Sequence, residues 1–109
     1  MLRLSGRDEF TAVFDNGLVA SDTTLVIHAI RNSRPYCRIG LSVSKKVGSA
    51  PTRNYWKRCI REAFRRQRQQ LPIGMDVVVR PRRDARAKFQ LIEISIVRLL
   101  KKLDKLLGQ

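Results

Sequence analysis

The sequence is poor in the side chains from which catalytic and metal sites are built. It has one histidine and two cysteines, and its nine Asp and Glu residues are scattered along 109 positions. Hydrolytic enzymes usually cluster carboxylates around metal ions or use histidines for proton transfer. The two cysteines do not form a C-x-x-C pair, so they make no zinc site of their own. We therefore predict no catalytic residue and no metal-binding residue in this chain.

Long apolar runs, repeats and linkers are also absent. No window approaches the ~20 apolar residues that a membrane-spanning helix needs. Four charged residues interrupt the first nine positions, where a signal peptide would be apolar. The isolated Cys37 and Cys59 are typical of small core residues in a reducing compartment. We expect one cytoplasmic domain over residues 1–109, with no membrane contact.

Positive charge, by contrast, is abundant. The chain has 23 Lys and Arg residues against nine Asp and Glu residues, which gives a formal net charge of +14. Such an excess on a small domain is costly by self-repulsion unless an anionic partner relieves it. A nucleic-acid backbone is the usual partner, because each neutralised phosphate releases a condensed counterion. The alternative is a basic protein that its charge merely keeps soluble.

The N-terminal segment predicts a short helix. Ser5 and Asp8 have the spacing of a capping box, and Gly17 suits the residue just past a helix end. Three apolar residues share one helical face: Phe10, Val13 and Phe14.

The remaining pattern predicts two strands, a helix, a strand and a helix. The strands are Leu25–Ile30, Arg38–Ser44 and Met75–Arg80, and the helices are Thr52–Gln70 and Ala85–Leu107. Three consecutive valines in the third strand favour a central position that is covered on both faces. The last helix has a buried stripe of Phe89, Ile92, Ile96, Leu99, Leu100, Leu103 and Leu107. This order predicts an α+β or α/β sandwich with helices packed on a small sheet.

The helix predicted from Thr52 is strongly basic on one side. Nine of the 23 basic residues lie between Lys45 and Arg68. One side carries Arg53, Asn54, Lys57, Arg58, Arg61 and Arg65, and the other carries Trp56, Ile60, Ala63 and Phe64. Cations four residues apart repel one another in a free helix, and phosphates would relieve this. A solvated cationic face is the alternative, but only Glu62 offers a counter-charge within the helix. We therefore favour RNA binding, although composition alone does not separate RNA from DNA.

Three motifs stand out along the chain. The central motif is Ser42-Val43-Ser44-Lys45-Lys46-Val47-Gly48, followed by Arg53-Asn54, Lys57-Arg58 and Ile60-Arg61-Glu62. The upstream motif is Asp8-Glu9-Phe10 with Val13-Phe14 and Gly17, and the downstream motif is Gly74-Met75-Asp76-Val77-Val78-Val79-Arg80-Pro81. Together they resemble the signature, the first helix and the last strand of the bacterial ribonuclease P protein family. The resemblance runs essentially end to end, in the same order and spacing.

This resemblance implies a fold and a function. The fold is α+β, a two-layer α/β sandwich of the ribosomal protein S5 domain 2-like class, in αβββαβα order with a left-handed βαβ crossover. It has one more strand than the pattern predicts, so residues 18–30 hold two strands or one long bent strand. The function is that of a ribonuclease P protein subunit, which binds the catalytic RNA and the 5′ leader of precursor tRNA and promotes removal of the leader. The RNA performs the chemistry with Mg²⁺ that it mainly holds itself, and one protein per RNA is expected.

The resemblance also implies roles for individual residues. One set matches positions that contact the catalytic RNA in this family, and it is extended along the same helix face to Arg65. The set is Lys45, Lys46, Arg53, Asn54, Lys57, Arg58, Arg61 and Arg65. The family motif Arg-Asn-Arg corresponds to Arg53-Asn54-Tyr55 in this chain. Tyr55 lacks the guanidinium of the third position, so it is left out of this set. The positions matched to a cleft that holds the leader are Phe10, Phe14 and His28, for which core packing or a structural role is the alternative. Two other functions remain open, namely a ribosomal-like general RNA-binding protein and a protein-only endonuclease.

Overall fold

Five strands and three α-helices make up the chain in a computed structural model, which describes residues 2–108. The elements are β1 (Leu2–Arg3), α1 (Gly6–Asn16), β2 (Leu18–Ser21), β3 (Leu25–Arg31), β4 (Arg38–Leu41), α2 (Ala50–Gln67), β5 (Met75–Pro81) and α3 (Phe89–Leu107). A short 3₁₀ turn over Lys45–Val47 precedes α2. From α1 onward the order is αβββαβα, because residues 18–31 form two strands rather than one.

The central strand of the sheet is β5. The sheet is mixed, in the order β1-β4-β5-β3-β2, and β5 pairs parallel with β4 and antiparallel with β3. Val77, Val78 and Val79 are fully buried, because helices cover the sheet on both sides of this strand. The central position predicted from the valine run is confirmed, and so is the α+β fold class.

The helices divide between the two faces of the sheet. The larger core lies under α2 and α3, on the face that carries Ile27, Val77 and Val79. On the opposite face α1 packs through Val13 against Val78, in a smaller apolar cluster. Three residues predicted to lie in the core are found in it or at its margin: Trp56, Cys59 and Cys37. No helix within residues 2–108 has the combination of length and apolar character needed to cross a bilayer.

The β4–α2–β5 unit connects two neighbouring parallel strands. Its helix begins at Ala50, two residues before the predicted start, because Ser49 is the N-cap and Pro51 occupies the first turn. The hydroxyl of Ser49 accepts a hydrogen bond from the backbone N–H of Thr52 at 3.5 Å. The handedness of this crossover stays a prediction.

The start of α1 differs from the predicted capping box. Ser5 is the N-cap, but its side chain does not cap the helix and Asp8 is not its partner. Instead Glu9 Oε1 accepts hydrogen bonds from the backbone N–H of Ser5 at 2.7 Å and from its hydroxyl at 3.2 Å. The longer Glu side chain reaches back to a donor that has no partner inside the helix, so the predicted Asp8 pairing is wrong.

Three more element boundaries differ from the prediction by three or four residues. α2 ends at Gln67 rather than Gln70. β4 ends at Leu41 rather than Ser44. α3 begins at Phe89 rather than Ala85, because the preceding residues form a turn in which the N–H of Ala85 donates to the carbonyl of Arg82 at 3.1 Å.

Asp22 fixes the turn between β2 and β3. Its Oδ1 accepts hydrogen bonds from the backbone N–H groups of Thr24 at 2.8 Å and Leu25 at 2.9 Å, and its Oδ2 pairs with Arg98 of α3 at 2.7 Å. Burial alone would raise the pKa of this carboxyl, but hydrogen bonds from Ser95, the Leu25 N–H and Arg98 outweigh burial and lower the pKa to about 2. The ionised carboxylate therefore fastens α3 to this turn.

Candidate nucleic-acid interface

The polar side of α2 forms a groove with mostly basic walls. The helix packs on the core through Trp56, Ile60 and Phe64, so the opposite side faces outward. The groove has a volume of about 410 Å³ and is lined by Asn54, Lys57, Arg58, Arg61, Glu62 and Arg65. We call it the cationic groove. Five of the eight residues predicted to contact RNA line it.

Most of the positive charge in the cationic groove is uncompensated. Arg65 pairs with Glu62 and lowers the pKa of that carboxyl through a side-chain hydrogen bond. Lys57, Arg58 and Arg61 form no ion pair with any residue in the described range 2–108. Neighbouring cations on a helix repel one another when no counter-charge is present. The groove therefore attracts an anion with several charges.

The other three predicted RNA contacts lie beside the cationic groove. Lys45 and Lys46 are exposed on the 3₁₀ turn before α2. Gly48 connects this turn to α2 with a φ of 152°, in the region that favours glycine. Arg53 is half-buried near the start of α2, and its Nε has no hydrogen-bond partner within the described residues. Tyr55 is exposed and does not line the groove.

A second groove connects α2 with α1 across the end of the sheet formed by β1 and β4. Its volume is about 240 Å³, and it is lined by Arg3, Leu4, Phe10, Ile39, Gly40, Leu41, Lys57 and Arg61. We call it the Phe10 groove. Lys57 and Arg61 line both grooves, so the two form one continuous surface. Arg3 adds a third cation, which no motif in the sequence singles out.

Gly40 allows Phe10 to lie directly against the sheet. A Cβ atom at Gly40 would lie 2.5 Å from Cζ and 2.8 Å from Cε2 of the Phe10 ring. The ring also packs against the apolar cluster that contains Val13 and Val78. Phe10 is therefore half-buried, with one side in packing and the other side in the groove.

Phe14 lies one turn further along α1, over β3. Its ring meets His28 edge-on, with centroids 4.6 Å apart and planes inclined at 67°. Phe14 is 38% exposed, whereas His28 is 8% exposed. Val19 of β2 stands opposite His28 in the sheet and is 52% exposed. The structure thus brings Phe14 and His28 together and places Phe10 apart from them, over β4.

His28 is hydrogen-bonded to Arg80, a residue that the sequence pattern does not indicate. Arg80 Nε donates to His28 Nε2 at 3.2 Å. Burial lowers the pKa of His28, and the charge of Arg80 lowers it further. Because Nε2 accepts from Arg80, the imidazole proton lies on Nδ1, which is buried and has no partner among residues 2–108. The only signal in the sequence is a cation near the end of an apolar strand.

An ion-pair network fastens α1 to the sheet beside these aromatic residues. Arg38 of β4 donates to Asp76 at 2.9 and 2.6 Å and to Glu9 of α1 at 2.6 Å. Asn32 donates to the same Asp76 carboxylate at 2.8 Å. Burial alone would raise the pKa of Asp76, but the hydrogen bonds from Arg38 and Asn32 lower it. The network joins α1, β4 and β5.

The acidic residues are mostly engaged by arginines. Six of the nine form ion pairs, namely Glu9, Asp22, Glu62, Asp76, Glu93 and Asp104. Within residues 2–108, no group of three or more His, Cys, Asp or Glu side chains is arranged to hold a metal ion. The described side chains therefore offer no carboxylate cluster of the kind that two-metal hydrolysis uses.

Comparison with known proteins identifies the family. A family model for ribonuclease P matches residues 1–104. The chain belongs to the ribonuclease P protein family. Ribonuclease P protein components of Brevibacillus brevis and Thermotoga maritima are 36% and 35% identical to it, over 92% and 88% of this chain and 81% and 82% of theirs. Solved structures of the RNase P proteins of Thermotoga maritima and Staphylococcus aureus match with TM-scores of 0.87 and 0.84, at 33% and 28% identity, and cover 95% of this chain and 99% and 96% of theirs.

Family membership confirms the resemblance found in the sequence motifs, together with the α+β fold class that it implies. It also confirms the functional class, a ribonucleoprotein nuclease that processes tRNA. The cationic groove is thus a surface of a protein from an RNA-containing enzyme.

Proposed function

We propose that this chain is the RNA-binding protein subunit of a ribonuclease P holoenzyme, with one protein per catalytic RNA. The observation that carries the proposal is the cationic groove of this ribonuclease P family member. Its residues Lys57, Arg58 and Arg61 have no ion-pair partner within residues 2–108. Phosphates of a folded RNA would neutralise these cations and release counterions. Assembly of the holoenzyme therefore weakens steeply as salt is added.

The partly open face of the sheet beside α1 suits the single-stranded 5′ leader of precursor tRNA. Phe14 exposes part of its ring, on which a base stacks without sequence readout, for about 1–3 kcal/mol per base. The Phe10 groove places a second aromatic ring beside Arg3, Lys57 and Arg61. A leader that passes Phe14 and then the Phe10 groove arrives at the cationic groove and the catalytic RNA.

Catalysis is proposed to rest with the RNA. Mg²⁺ held mainly by the RNA would activate water and stabilise charge on the phosphodiester. The acidic residues of the protein support this division, because six are paired with arginines and Asp8, Asp15 and Asp84 are exposed. The protein would position the leader and reduce repulsion between two polyanions, so that less Mg²⁺ is needed. The two free thiols are consistent with a cytoplasmic enzyme.

Cleavage of a 5′-labelled precursor tRNA at low Mg²⁺ tests the proposal. The protein alone, a bacterial ribonuclease P RNA alone and their mixture are compared. We expect cleavage at the mature 5′ end only in the mixture. Cleavage by the protein alone would identify a protein-only endonuclease and contradict the proposed division of labour. Tight binding to the RNA without stimulation would favour a ribosomal-like general RNA-binding protein.

A further inference from the structure

Arg80 is the one exposed residue of the central strand β5. Side chains alternate between the two faces of a strand, so Arg80 and Val78 lie on the face that α1 partly covers. Val78 is fully buried against Val13 of α1, whereas Arg80, two residues further along, is exposed. The guanidinium therefore stands on the open part of this face.

The neighbours of Arg80 that the β3 pairing and the ring contact identify are neutral and mostly apolar. The strand register places Val26 opposite Arg80, and Val19 opposite His28 on the next strand. The partly exposed ring of Phe14 lies beside His28. No carboxylate within residues 2–108 forms an ion pair with Arg80. A single uncompensated cation among aromatic and aliphatic groups suits a ligand that has both a negative charge and a flat ring.

His28 orients the guanidinium. Arginine can only donate hydrogen bonds, so Nε2 of the imidazole accepts from Arg80 Nε. The imidazole is itself held by burial and by the ring of Phe14. With Nε engaged, the two Nη groups of Arg80 make no hydrogen bond within residues 2–108. They form the planar fork that binds a phosphate through two hydrogen bonds.

We propose that Arg80 binds one phosphodiester of the single-stranded 5′ leader and that His28 is the positioning residue that holds its guanidinium. This inference rests on the proposed function, because it assigns a contact in the same cleft. A base next to that phosphate stacks on Phe14, so the cleft binds a nucleotide through its charge and its ring together. Neither contact reads a base edge, and the leader sequence is therefore free to vary.

Equilibrium binding to the reconstituted holoenzyme tests the assignment, with precursor tRNA and mature tRNA as the two ligands. Arg80→Gln should weaken binding of the precursor about tenfold, the usual range for a lost charge-assisted hydrogen bond, and leave mature tRNA unchanged. Lys102→Gln is the matched control, because this exposed lysine lies on α3, on the opposite face of the sheet. It removes the same charge and should change neither affinity.

A scan with neutral methylphosphonates locates the contact. Each leader phosphate is replaced in turn. Replacement at one position should lower the affinity of the wild-type holoenzyme for precursor tRNA about tenfold and leave the affinity of the Arg80→Gln holoenzyme unchanged. His28→Leu should reduce the effect at that position. His28→Gln should restore it, because the amide oxygen can accept from Arg80 Nε.

Arg80→Lys keeps the charge at this exposed position without the planar fork, so it gives an intermediate loss at the same phosphate and remains informative should Arg80→Gln not fold. Equal losses for precursor and mature tRNA, or additive effects at every position, overturn the assignment. If the wild-type holoenzyme does not prefer precursor over mature tRNA, the leader cleft of the proposed function fails. If it does prefer the precursor and Arg80→Gln changes nothing, only the role of Arg80 fails.

Discussion

Replacing Gly40 with alanine tests how α1 is seated on the sheet. The added Cβ atom would lie 2.5, 2.8 and 3.1 Å from three atoms of the Phe10 ring. Overpacking a buried site costs about 1–3 kcal/mol, and the Gly→Ala change offsets about 0.4–1 kcal/mol of this by restricting the unfolded chain. We expect the free energy of unfolding to fall by about 1–2 kcal/mol, with the ring displaced from β4.

Urea denaturation of four proteins measures this contact as a double-mutant cycle. They are the wild type, Gly40→Ala, Phe10→Leu and the double variant. Leucine lacks the outer ring atoms that would clash with the new methyl group, so Gly40→Ala should cost little in the Phe10→Leu background. The coupling energy between the two substitutions should be about 1 kcal/mol or more, with an unchanged denaturant slope.

Two results would refute the reasoning. One is a Gly40→Ala protein as stable as the wild type. The other is additivity of the two substitutions within about 0.3 kcal/mol, which is typical of residues that do not touch. Either result would mean that Phe10 does not press on β4, and the Phe10 groove would then have a different shape from the one that this contact produces.

Three further predictions concern the cationic groove, the leader cleft and acid stability. Arg61→Gln should weaken binding to the catalytic RNA and make the slope of log K against log salt shallower by about one in a filter-binding titration, whereas Lys102→Gln should leave the slope unchanged. Phe14→Ala should weaken affinity for precursor tRNA about tenfold and spare mature tRNA, and equal losses for both would contradict the leader cleft. The folded-state pKa of Asp22 is lowered to about 2 from an ordinary value of 3.8, so its stabilisation is present above that ordinary value and is lost as the pH falls toward 2. Asp22→Asn should therefore reduce the free energy of unfolding by about 2 kcal/mol near pH 6 and by much less near pH 2 in thermal or urea denaturation, and a pH-independent difference would contradict this assignment.

Features that a single element encodes are predictable from the sequence. The run from Val77 to Val79 indicates a strand covered on both faces, and β5 is the central strand. The 3.6-residue period of α2 separates Trp56 from the cations, and the structure buries the first and exposes most of the others. In both cases the signal is the periodicity of one segment, which is independent of its partners.

Features that depend on partners are not predictable in this way. β1 has only two residues, too few to show an alternation, and it exists because it pairs with β4. β2 is a four-residue edge strand whose first two residues, Leu18 and Val19, are both exposed, so it lacks a clear alternation of buried and exposed residues. Such strands are stabilised by cross-strand contacts rather than by their own propensity. A related cause explains why Glu9, and not the predicted Asp8, accepts the hydrogen bonds of Ser5 at the start of α1. Glu9 also forms an ion pair with Arg38 of β4, which the local sequence does not indicate.

The residues proposed to bind the leader are the clearest case, because the register of the strands brings them together. Arg80 and His28 are 52 positions apart in the chain, and only the antiparallel pairing of β3 with β5 brings their nitrogens to 3.2 Å. A slip of one residue in β3 would turn its side chains to the opposite face, so that His28 would enter the core and Ile27 would face α1. That slip is prevented by the buried apolar residues of the two strands, among them Ile27, Val77 and Val79. The sequence of β5 does not indicate on which face of the sheet Arg80 lies, because the apolar run before it does not alternate with polar residues. The position of Arg80 beside His28 is therefore a consequence of core packing and not of any local motif.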